Sequence, residues 1–293
     1  MPKSLRTWLL AARPRTLPAA AAPVLVGTAV AVDVSDVFHF LRFFCALMGA
    51  LFIQIGTNLA NDYSDARRGA DTEDRLGPVR VTAGGLVPPR HVLAGVYVSF
   101  GIACAFGAYL IAVAGWQLLV IGVLSIIAGV LYTGGPRPYG YAGLGELFVF
   151  LFFGLVAVTG STFVQIEHWP AAAIVAAVPV GLLAAAILVV NNVRDRETDA
   201  RVGKKTLAVR LGAERGRTLY AVMVFGAFVM LIPVALVSHN AFTLLAVLSL
   251  PIGLRQVAVV RRHHDGPTLN GALAGTAQMQ LVFCLLLSAG FLL

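Results

Sequence analysis

Four carboxylates in an otherwise apolar chain carry the clearest chemistry. Asp62 and Asp65 close one hydrophobic run, and Asp195 and Asp199 close another. Each pair is one helical turn apart, so both carboxylates can leave one face of a helix end. Carboxylates at membrane depth are costly and point to function by default. Such a pair suits a hard divalent cation, Mg²⁺ above all, which binds one or two carboxylates and completes its shell with water and substrate phosphates. Asn58 precedes Asp62 by the same spacing by which Asn191 precedes Asp195, which suggests two similar helix ends meeting at one site. Four carboxylates in one cavity repel one another unless a cation intervenes. A bound cation would in turn recruit a phosphate-bearing ligand, with Arg67, Arg68, Arg194, Arg196, Lys204 and Lys205 as candidates for its outer oxygens, the two lysines first.

The elements that must position these residues are membrane helices. The chain has 293 residues, 58% of them hydrophobic and 12% charged, against about 25% charged in a soluble domain. Apolar runs of the roughly 20 residues needed to cross a bilayer recur along it. Nine spans are expected, at 16–33, 40–61, 91–113, 115–133, 143–164, 170–192, 217–237, 241–260 and 270–291. The fold class is an all-α integral membrane bundle, a single polytopic unit of two four-span halves, about 1–142 and 143–264, plus the ninth span. Residues 1–15 set Lys3, Arg6, Arg13 and Arg15 beside Leu5, Trp8 and Leu9, the pattern of a basic amphipathic helix in the interface. No charged segment, short apolar stretch and small-residue cleavage site follow in order, so no removable signal is expected.

With these spans, every Lys and Arg but Arg42 falls on one side, which the positive-inside rule makes cytoplasmic. Both acidic motifs lie on that side, as a joint site requires. The net charge of +8 is therefore a topology signal, and no nucleic-acid partner is expected. Cys45, Cys104 and Cys284 lie within apolar runs and read as small hydrophobes. Trp116 and Trp169 flank outer connections, as belt residues do, and His263 and His264 extend a basic juxtamembrane cluster. Arg-rich, Lys-poor usage with abundant Ala and Gly suits a bacterial cell membrane protein.

Asn61, Asp62 and Asp65 with Gly69 and Asp71, and Asp195 and Asp199 with Gly203, Lys204 and Thr206, resemble the two Asp-rich motifs of the UbiA superfamily of membrane prenyltransferases. The stretches Ala12–Pro18, Val81–Leu86 and Tyr132–Glu146 are most similar to the type that prenylates 1,4-dihydroxy-2-naphthoate. Gly69 stands where the common first motif has an acidic residue, and Asp71 follows two positions later. The resemblance implies a helical bundle with cytoplasmic cap loops. It implies Mg²⁺ on Asp62, Asp65, Asp195 and Asp199, a polyprenyl diphosphate donor whose tail stays in the lipid bilayer, and an aromatic acid acceptor. Transfer with loss of CO₂ would give demethylmenaquinone, in menaquinone biosynthesis. Asn58 and Asn61 are then partners or orienters of the carboxylates. Tyr132 is a candidate to face the allylic cation, Arg13 to hold the acceptor's carboxylate, and Arg137 to reach the diphosphate.

Rival readings keep the chemistry but change the acceptor to 4-hydroxybenzoate, homogentisate or haem, or change the class. A CDP-alcohol phosphotransferase would need an Ala-Arg pair two residues after an Asp-Gly, which Asp265 and Gly266 lack. A transporter would place its site at the midplane of an inverted repeat, whereas both motifs here share one face. Prenyl chain length and oligomeric state have no signature in the sequence.

Overall fold

In a bilayer a chain must satisfy its backbone polar groups within itself, and the apolar runs do so as helices. The computed structural model describes residues 3–70, 76–77 and 80–293, with side chains from residue 6 onward. Asp71 and Glu73 lie outside the described residues. Helix α1 (Lys3–Ala12) is joined by a 3₁₀ turn (Pro14–Thr16) to α2 (Leu17–Ser35), and α3 (Phe40–Arg67), α4 (Pro89–Ala114) and α5 (Gln117–Leu131) follow. Then α6 (Gly145–Val149), a π-helical stretch (Phe150–Val156) and α7 (Ala157–Ile166) make one continuous span. The long α8 (Ala171–Arg201) leads through the short α9 (Leu207–Leu211) to α10 (Ala213–Val229) and α11 (Leu231–Ser238). A 3₁₀ stretch (Ala241–Ser249) runs into α12 (Leu250–Arg262), and α13 (Gly266–Phe291) ends the bundle.

Among the described residues 8 helical segments are long and apolar enough to cross a membrane. The expected span at 115–133 is the short one: α5 has 15 residues. At about 1.5 Å per residue it reaches roughly 22 Å, less than the hydrocarbon thickness of about 30 Å. Helix α1 forms apart from α2, as an interfacial helix should, because Arg13 takes a left-handed conformation (φ 53°) ahead of Pro14. Trp8 packs against Gly95 of α4.

Helix α8 is the hub. Its run of Ala, Gly and Val lets α2, α7, α10, α11 and α13 approach it closely. One close approach is glycine on glycine. A Cβ on Gly181 would stand 2.8 Å from the Phe150 carbonyl oxygen and 3.1 Å from the Gly154 Cα, with the π-helical stretch laid against α8. Helix α3 instead turns one face to a cavity.

At the end opposite the acidic motifs the connections are short and tied. Arg42, the one Lys or Arg there among the described residues, donates to the carbonyls of Val113 (2.9 Å) and Val164 (3.0 Å) and pairs with Glu167 (2.9 Å). Its charge is spent on closing three chain ends. Asn240 likewise donates to Asp33 (2.9 Å) and the Gly290 carbonyl (3.0 Å), joining α2, α11 and α13.

Adding bulk at the glycine contact should loosen the bundle. We expect Gly181→Leu to cost about 1–3 kcal/mol, read as a lowered thermal transition in detergent. Gly101→Leu, which meets nothing within 4 Å, should leave the transition unchanged.

Candidate active site

Helices α3 and α8 end in the same way. In α3 Gly69 (φ 64°) donates to the Ala66 carbonyl at 3.1 Å, and Ala70 donates to the Asp65 carbonyl at 3.0 Å. In α8 Gly203 (φ 78°) donates to Ala200 at 3.2 Å, and Lys204 to Asp199 at 2.9 Å. Both are Schellman caps, which need a left-handed residue just past the helix that glycine supplies without a Cβ clash. The two caps set a common register. Asn58, Asn61, Asp65 and Gly69 have the same spacing as Asn192, Asp195, Asp199 and Gly203, and all six polar residues line one cavity.

This register differs by one residue from the expected match of Asn58 to Asp62 with Asn191 to Asp195. A step of one residue is about 100° around a helix, and Asp62 therefore leaves the cavity face. Its carboxylate is buried and accepts backbone N–H groups from Val81 (3.1 Å) and Thr82 (2.9 Å). Asp65, Asp195 and Asp199 are brought together on the cavity, and Asp62 holds the loop behind it.

Each cavity carboxylate has a cation or hydroxyl at hand. Asp65 accepts from the Tyr141 hydroxyl at 2.7 Å and lies 3.4 Å from the Arg80 guanidinium. The Lys204 ammonium stands 3.7 Å from Asp65 and 3.8 Å from Asp199, bridging the two motifs. Asp195 takes a two-pronged contact from its neighbour Arg194, Nε at 2.8 Å and Nη2 at 2.5 Å. Arg194 also donates to Asn191 (2.9 Å) and Asn270 (2.6 Å), so it is turned inward and is spent within the protein.

The asparagines orient neighbouring chain. Asn58 donates to the Ala12 carbonyl and the Thr16 hydroxyl, both at 3.1 Å, and Thr16 donates to the Arg13 carbonyl at 2.9 Å. This sets the left-handed hinge that aims Arg13 at the cavity. Asn61 accepts from Thr133 at 3.0 Å, and Asn192 donates to the buried Glu146 at 2.9 Å. Tyr132 lines the cavity, edge-on to Tyr139 at 5.5 Å, and Tyr139 stacks on Phe148 at 4.0 Å. With Phe152 and Phe153 they form an aromatic wall. Burial pushes the Tyr139 phenol above its ordinary pKa, so it stays neutral and donates to the Ala128 carbonyl.

Several expected residues stand elsewhere. Arg137 and Lys205 are exposed and off the cavity, although the Lys205 backbone N–H donates to the Tyr141 carbonyl at 2.9 Å. Arg196 pairs with the exposed Glu197, Arg67 lies over the Tyr63 ring, and Arg68 over Tyr141. Tyr141, Arg80, Thr133 and Glu146 are site residues without a spacing signal; their partners come from distant segments. His264 meets Arg217 through Nδ1 at 2.5 Å, within the basic cluster.

The cavity measures about 650 Å³ and runs from this charged end into an apolar interior lined by α2, α3, α4, α5, the α6–α7 span and α8. Among the described residues no three His, Cys, Asp or Glu side chains stand close enough to cage a metal alone. The donors fit a hard cation that completes its shell with a ligand's own oxygens, which is how Mg²⁺ is commonly held.

A sequence profile of the UbiA prenyltransferase family matches residues 20–291. A 1,4-dihydroxy-2-naphthoate octaprenyltransferase of Mycobacterium tuberculosis is 40% identical over 96% of this chain and 95% of its own length. One of Escherichia coli is 39% identical over 98% and 96%. A solved UbiA homologue of Archaeoglobus fulgidus, bound to GPP and Mg²⁺, superposes with a TM-score of 0.67 over 96% of this chain and 99% of its own, at 16% identity. By profile, whole-length relatives and fold, this integral membrane protein belongs to the UbiA prenyltransferase family.

Proposed function

We propose that the protein transfers a polyprenyl group from a polyprenyl diphosphate to 1,4-dihydroxy-2-naphthoate with loss of CO₂, giving the reduced, quinol form of demethylmenaquinone for menaquinone synthesis. The observation that carries this reading is the junction of Asp65, Asp195 and Asp199 with the mouth of an apolar, aromatic-walled cavity. The names of the relatives supply the acceptor. We assign the charged end to the cytoplasmic side of a bacterial membrane, since of the Lys and Arg among the described residues only Arg42 stands at the other end. The matching caps of α3 and α8 support a repeat of two halves, about 1–142 and 143–264, with α13 added.

We assign Asp65, Asp195 and Asp199 to Mg²⁺, which supplies Lewis-acid stabilisation of a leaving diphosphate. Lys204 and Arg80 flank the same space and suit the remaining phosphate oxygens. Tyr132 lines the cavity and suits the developing allylic cation, since a ring face stabilises positive charge. The aromatic wall keeps out water that would quench the cation. A cavity of this volume suits one small ligand, so the far part of a long prenyl tail leaves it between helices for lipid. Arg13, which also lines the cavity, suits the acceptor's carboxylate. The ring carbon bearing that carboxylate forms the new C–C bond. The carboxylate leaves as CO₂ and its bonding pair returns to the ring.

Purified protein given 1,4-dihydroxy-2-naphthoate, a polyprenyl diphosphate and Mg²⁺ should release CO₂ and prenylated product in equal amounts. EDTA should abolish turnover and added Mg²⁺ restore it. Asp65→Asn and Asp199→Asn should each lower kcat by about 10²-fold or more. Turnover of 4-hydroxybenzoate alone would keep the mechanism and discard the acceptor. Asp62→Ala should act through the loop, and hydrogen exchange at Val81 and Thr82 should speed up in that variant while Asp65→Asn leaves it slow.

A further inference from the structure

A positive charge stands between the two motifs. Lys204 is 9% exposed, and its ammonium is held by Asp65 on one side and Asp199 on the other. The Tyr141 ring lies beneath it at 4.7 Å, and the Tyr141 hydroxyl binds the other oxygen of Asp65. The backbone of Lys204 is pinned by the α8 cap, so only its flexible side chain can move. Its neighbour Lys205 points to solvent and shares none of this.

From this geometry, and resting on the function proposed above, we propose that Lys204 is a resident counter-cation that keeps a bare divalent ion out of the site and yields only to a metal arriving with diphosphate. A divalent cation between Asp65 and Asp199 would stand against the ammonium at close range. Like charges in a buried space repel strongly, so metal entry requires Lys204 to withdraw. Without an anion in the cavity, withdrawal costs the ammonium both of its carboxylate partners. A diphosphate supplies that anion, and the four-carbon stem lets the ammonium swing from the carboxylates to the phosphate oxygens, freeing Asp65 and Asp199 for metal. Lys204 therefore opposes one ligand and favours the other. By linkage each then promotes binding of its partner. The consequence is an ordered site: Lys204 neutralises the carboxylates until the metal is loaded together with the donor.

The test reads metal binding rather than turnover. Mn²⁺ binding to the purified protein is followed by loss of the free-ion electron paramagnetic resonance signal, with and without inorganic diphosphate. The native protein should bind Mn²⁺ weakly alone and on the order of tenfold or more tightly with diphosphate. Lys204→Met should bind Mn²⁺ alone about tenfold more tightly than native protein, bind diphosphate less well, and lose most of the coupling. Lys204→Arg, which keeps the charge, should still bind Mn²⁺ weakly without diphosphate, and Lys204→Gln serves as the uncharged variant if the Met variant elutes as aggregate. Unchanged or weaker Mn²⁺ binding by the uncharged variants, with coupling intact in the native protein, would overturn the role of Lys204 and leave the prenyl transfer reading standing. Absence of any joint Mn²⁺ and diphosphate binding in the native protein would overturn both.

Discussion

Everything at the charged end follows from the cost of burying carboxylates at the edge of an apolar bundle. An isolated buried carboxylate is prohibitive, so each must be met by hydrogen-bond donors or a cation. Asp62 is met by two backbone amides, Asp195 by the fork of Arg194, and Asp65 and Asp199 by Lys204 between them. These three solutions, with the Tyr141 hydroxyl on Asp65, tie α3, α8 and the loops at 80–88, 132–144 and 202–206 into one assembly. The loops are ordered around charge, while the rest of the molecule is ordered around packing.

Those packing demands differ along the bundle. Helix α8 carries small residues on the faces it buries and polar ones on the cavity face near its end. One helix thus serves as structural hub and as half of the site. Helix α3 has the other half and a face left open to the cavity, which is why much of its length is only half-buried. Between them the aromatic wall of Tyr132, Tyr139, Phe148 and Phe152 joins the charged mouth to an apolar interior. Such a boundary is what a reaction with an anionic leaving group and a cationic, water-sensitive fragment requires.

Much of this architecture is legible in the order of residues. Long apolar runs have few ways to satisfy their backbones, so the helices follow from hydropathy. The segregation of Lys and Arg follows from the membrane, and the single exception, Arg42, proves to be a tie between outer chain ends. The fourth span is less legible, because α5 is apolar but short, and hydropathy alone does not say where a helix stops. The separate α1 was legible from its basic amphipathic composition.

The sequence by itself determined that two acidic helix ends share one face of a membrane bundle, because charge and hydropathy act locally and through the bilayer. It did not determine which carboxylates meet. Matching Asn to Asp by spacing pairs Asp62 with Asp195, whereas the caps at Gly69 and Gly203 pair Asn61 with Asp195 and turn Asp62 toward the Val81–Thr82 amides. A one-residue offset is invisible in composition but swings a side chain by about 100°. The partners that complete the site, Tyr141, Arg80 and the bridging Lys204, come from loops whose paths are decided by tertiary contacts. Only the folded chain brings their charges within a few ångströms, and at that range electrostatics selects the arrangement.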